Sequence, residues 1–80
     1  MEHAVERLIA YLEIEQAAFI REWFSGDYGK LSDCPSYGAV KAYCDAINSL
    51  NRYQMRDYSP ISPRGIIQEE RWLRKCQSNS

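Results

Sequence analysis

From Glu2 to Phe24 the chain runs without a glycine or a proline, while Val5, Leu8, Ile9, Leu12, Phe19, Ile20 and Trp23 recur at three- and four-residue steps. Glu6, Arg7, Glu13 and Glu22 fall between them, which is the pattern of an amphipathic helix. At ~1.5 Å per residue this helix spans roughly 34 Å, longer than the average in globular proteins. Its apolar stripe needs cover along its whole length, from the rest of the chain or from a second copy. The whole chain has only 80 residues, enough for one domain. A domain of that size buries only roughly 60 to 65% of the surface its unfolded chain exposes, so every large apolar residue counts.

Ser25, Gly26, Asp27, Tyr28 and Gly29 break the helical pattern. Glycine supplies a positive-φ cap and aspartate a side-chain turn acceptor, so the first helix is expected to end at Phe24 or Ser25. A connector then leads to Pro35, which suits the first turn of a second helix running to about Gln54. Val40, Tyr43, Cys44, Ile47 and Leu50 mark its apolar face, and Lys41, Asp45, Asn48 and Arg52 its polar face. Gly38 lowers helix propensity near its start by ~1 kcal/mol relative to alanine, which implies fraying or a close approach there. A second connector spans residues 55–62. Ser62 and Pro63 read as the N-cap and first residue of a third helix that carries Ile66, Ile67, Trp72, Leu73 and Cys76. Glu69 and Glu70 come early and Arg71, Arg74 and Lys75 late, the order that complements a helix dipole.

The expected architecture is all-α, a compact three-helix bundle with a long N-terminal helix. Its expected core is Leu8, Leu12, Phe19, Trp23, Val40, Ile47, Leu50, Ile66 and Leu73. Residues 1–76 form the single helical domain in this reading, and 77–80 a polar tail.

Charge narrows the function classes. The net charge is −1, which supplies no global field for nucleic acid or an anionic membrane. The halves differ: residues 1–40 hold seven acids and three bases, and residues 41–80 seven bases and four acids. Such polarity orients a partner or a head-to-tail self-association, or is simply solvated. No apolar run is long enough for a membrane span or a signal peptide. Three cysteines, Cys34, Cys44 and Cys76, are an odd number without paired spacing, so a reducing, cytoplasmic setting is expected rather than a disulfide framework.

Chemistry is thinly represented. His3 is the one histidine, and with the three cysteines it makes no CxxC or HxxxH unit, so no metal site is expected. Cys34 precedes a predicted helix start, where a dipole lowers a thiol's pKa, and it is the candidate reactive cysteine. Cys44 and Cys76 sit at apolar helix positions and are expected in the core. No phosphate-binding glycine loop or nucleophile elbow is present, so neither a catalytic residue nor a cofactor is expected.

Five of the six tyrosines, Tyr28, Tyr37, Tyr43, Tyr53 and Tyr58, crowd into the middle of the chain with Arg52 and Arg56. Tyrosine and arginine anchor interfaces because each brings a large contact area and a hydrogen-bonding end at modest entropic cost. Tyr43 shares the apolar face of the second helix and is expected inside. Tyr28, Tyr37, Tyr53, Arg56 and Tyr58 then form the candidate protein-binding surface. The expected function is a non-enzymatic protein-binding module, a regulator, inhibitor or adaptor that docks on a larger protein assembly, of a size seen among phage and plasmid accessory proteins. A second reading is a small nucleic-acid-binding regulator using Arg52, Arg56, Arg64, Arg71, Arg74 and Lys75. A third is a homodimerisation module built on an uncovered stripe of the first helix.

Overall fold

The computed structural model describes residues 2–54 and 59–78, with side chains for 4–54 and 59–77. Three α-helices follow one another: α1 over Glu2–Phe24, α2 over Tyr37–Tyr53 and α3 over Pro63–Ser78, with a short 3₁₀ turn at Leu31–Asp33 between the first two. No strand occurs among the described residues, and the expected three-helix bundle is what forms. The third helix continues through Gln77 and Ser78, two residues into the polar tail.

α1 and α2 lie antiparallel. The Tyr11 ring stacks on Tyr43 and the Phe19 ring meets Tyr37, each pair with centroids 6.1 Å apart, so the partner on α2 moves back as α1 advances. Val5, Leu12 and Phe19, seven residues apart, bury the centre of the long stripe, with Phe19 wholly enclosed. Val40, Cys44 and Ile47 of α2, Cys34 of the connector and Ile67 of α3 complete the core. The chain thus covers Val5, Leu12 and Phe19 of α1, whereas Ile9, Tyr11 and Ile14 on the same helix are exposed.

α1 ends where expected, at Phe24, and Gly26 adopts the positive φ of +82° that a side chain there would strain. The turn acceptor is Ser25 rather than Asp27: its hydroxyl donates to the Glu22 carbonyl and accepts from the Asp27 N–H. α2 begins at Tyr37, two residues beyond Pro35. A carboxylate from another helix caps this end. Glu22 accepts the Ser36 N–H at Oε1 and the Ser36 hydroxyl at Oε2, both at 2.8 Å, at the residue that precedes the helix. A Cβ on Gly38 would meet nothing within 4 Å, so no close approach depends on that glycine. Gly38→Ala is therefore expected to raise stability by about 0.4 to 1 kcal/mol, read from the urea midpoint of the helical signal.

Ser62 caps α3 as expected, its hydroxyl accepting the Gly65 N–H at 3.1 Å. Asn48, placed on the polar face by spacing, instead pins the approach to α3: its Nδ2 donates to the Ile61 carbonyl at 2.8 Å, and its Oδ1 accepts the Ile61 N–H at 3.0 Å. Asn48→Ala is expected to cost about 1 to 3 kcal/mol by leaving a half-buried peptide unit short of partners.

Two core assignments are overturned. Leu73 is 41% exposed and Cys76 is exposed, beside a Trp72 that is 63% exposed. The molecule measures 17 Å in its thinnest direction, about two helix layers at ~10 Å spacing. α3 buries Pro63 and Ile67 in its first half, while residues 71–77 of its second half are all exposed. Leu8, Trp23, Leu50 and Ile66 are half-buried rather than central.

Candidate functional site

Among the described residues of the expected surface, Tyr28 and Tyr37 lie apart from Tyr53. Tyr28 and Tyr37 are half-buried and pack against the core at the α1–α2 connector. Tyr53 is 75% exposed at the opposite end of α2, ~24 Å from Tyr37 along the helix axis. Arg56 and Tyr58 lie outside the described residues.

The structure instead brings the α1–α2 connector up against the first half of α3, leaving an open groove of about 760 Å³. Trp23, Leu31, Tyr37 and Ile67 give it apolar and aromatic surface. Gly29, Lys30 and Ser32 line it from the connector, Lys41 and Asp45 from α2, and Arg64, Gln68 and Arg71 from α3. The α3 residues are spaced four and three apart, so one helix stripe lines the groove. Tyr37 is held there by Glu22, whose carboxylate grips the preceding residue.

Four cations and a single carboxylate line this groove. Lys41 donates to Asp45 at 2.9 Å in an exposed pair, and that hydrogen bond raises the lysine's pKa. No carboxylate among the described residues pairs with Lys30, Arg64 or Arg71. The groove therefore presents net positive charge over an apolar floor, on a chain that is slightly acidic overall.

The other proposed cations scatter. Arg74 leans over the Phe24 ring, 4.1 Å from its centroid, and its Nε bonds Glu70 at 3.2 Å. Arg52 is exposed in the last turn of α2, one residue before Tyr53. Lys75 continues the stripe of Arg64 and Arg71 and is already engaged. Arg52, Arg64, Arg71, Arg74 and Lys75, the described members of that set, do not share one face, and Arg56 lies outside the described residues.

The reactive-thiol expectation for Cys34 is also overturned. Its side chain is 3% exposed, and burial, with Glu22 and Asp33 nearby, pushes the thiol pKa up. A helix dipole cannot outweigh desolvation beside two carboxylates. Burial raises Cys44 likewise. At neutral pH maleimide is expected to modify Cys76 first, with Cys34 and Cys44 following only as the chain opens. A raised thiol pKa favours the protonated folded state, so these two residues should weaken the fold as pH climbs above their ordinary value of 9.0.

Among the described residues no three His, Cys, Asp or Glu side chains gather to hold a metal ion, and no helix is long and apolar enough to cross a membrane. The chain matches no family model, no curated protein and no solved structure.

Proposed function

We propose that this protein is a non-enzymatic protein-binding module, a small regulator, inhibitor or adaptor that docks on a larger partner through the groove between the α1–α2 connector and α3. The observation that carries the reading is the groove itself: an aromatic floor of Trp23 and Tyr37 beside three cations, Lys30, Arg64 and Arg71, that pair with no carboxylate among the described residues. Desolvated aromatic and arginine side chains in a concave site are what anchor protein contacts. Tyr37 belongs to this surface, Tyr28 supports its connector, and Tyr53 stands apart from it. The odd cysteine number agrees with action in the reducing cytoplasm.

The test is capture of the partner from cell extract by immobilised protein. Arg64→Glu with Arg71→Glu is expected to abolish capture while leaving the helical circular dichroism intact, and Tyr53→Ala is expected to leave capture unchanged. Loss of capture in Tyr53→Ala alone would place the contact at the other end of α2.

Self-association is a second reading, favoured by the neighbouring exposed Trp72 and Leu73 on α3. Sedimentation over a concentration series distinguishes it, since a strict monomer at high concentration removes it.

A further inference from the structure

We infer that the groove receives an acidic linear segment of the partner, one that sets a large apolar side chain among its carboxylates. The inference rests on the groove being the docking site and names what fills it.

Charge complementarity is the first argument. Arg64 and Arg71 stand two turns apart on the groove side of α3, ~10 Å along its axis. Lys30 adds a third cation from the connector. Each guanidinium offers a planar fork that suits a carboxylate in two-point contact. No carboxylate of the described residues occupies these cations, so an incoming one displaces none of them. Lys41 differs, since Asp45 already holds it.

The floor supplies the second argument. Trp23 and Tyr37 are half-buried, with part of each side chain still open to the groove. Carboxylates alone would leave that apolar surface wet, whereas an aromatic or large aliphatic side chain would cover it. A polynucleotide fits less well. Phosphate tracking requires a continued run of free cations, but Arg74 is committed to Phe24 and Glu70, and Arg52 lies near the distal end of α2.

The experiment uses the full chain carrying Trp72→Phe, which leaves Trp23 as the sole tryptophan and as a reporter inside the groove. The probe is a short synthetic peptide of aspartate and glutamate with one central phenylalanine. A saturable change in Trp23 emission is expected, with affinity that falls as salt rises and falls roughly tenfold or more in Arg64→Glu with Arg71→Glu. Equal binding of a peptide with lysine at the acidic positions would overturn the inference, as would tighter binding of a single-stranded oligothymidylate. Peptide binding that survives the double charge reversal would overturn the placement in the groove. If the acidic peptide fails to bind while partner capture still depends on Arg64 and Arg71, the docking reading stands and the acidic occupant is wrong.

Discussion

Replacing Phe19 with alanine is expected to remove about 3 to 5 kcal/mol of stability. Phe19 is wholly buried, lies in the C-terminal third of α1 and belongs to the core cluster it shares with residues of α2 and α3. Truncation loses the transfer free energy of the ring and opens a cavity that rigid helices cannot fully close. An 80-residue domain has a total stability of about 4 to 12 kcal/mol, so this one change consumes a large share. Urea unfolding followed by circular dichroism measures it. Phe19→Leu keeps most of the volume and should cost well under half as much. A loss below about 1 kcal/mol for Phe19→Ala would contradict the placement of Phe19 at the centre.

The second large effect is expected at Glu22. Its carboxylate takes two hydrogen bonds from Ser36 at the start of α2, and hydrogen bonds to charged groups contribute about 1.5 to 3 kcal/mol each. The pair is half-buried rather than enclosed, so the combined loss in Glu22→Ala is set lower, at about 2 to 3 kcal/mol. Glu22→Gln retains an acceptor for the Ser36 N–H and should lose less. Combining Glu22→Ala with Ser36→Ala should cost less than the two changes added, because both remove the hydroxyl's bond. Additive losses would mean that the contact does not stabilise the fold. The same clamp fixes where Tyr37 enters the groove, so Glu22→Ala should also weaken partner capture under conditions where the chain remains folded.

Much of the fold was legible because it rests on local rules. The unbroken stripe of α1, the Gly26 stop and the Ser62–Pro63 start each act within a few residues, and each appears where the spacing places it. What spacing misjudged depends on contacts between distant segments. Glu22 and Ser36 are separated by fourteen positions, and they pair at the start of α2, which lies past Pro35. Asn48 and Ile61 meet in the same way, turning a residue assigned to the solvent face into a pin. Leu73 has the spacing of a core residue, yet its end of α3 is exposed.

The candidate site was only partly legible, for the same reason. The Arg64, Gln68 and Arg71 stripe is visible in the helical repeat, but the connector that faces it lies about thirty residues away in the chain. Tyrosine density pointed to the connectors without revealing that Tyr37 turns inward against Phe19 while Tyr53 remains in solvent. Density of interface-prone residues marks a region; only packing separates a wall of a groove from an isolated exposed ring.

The central claim is that the partner contacts this protein through the groove beside α3, and position-resolved photo-crosslinking tests it most directly. A photoreactive phenylalanine derivative would replace Lys30, Gln68, Tyr53 or Trp72 in separate preparations of the full chain, each mixed with cell extract and irradiated. The account predicts a crosslinked partner from Lys30 and from Gln68, and none from Tyr53 or Trp72. Crosslinks from Tyr53 or Trp72 with none from Lys30 and Gln68 would contradict it.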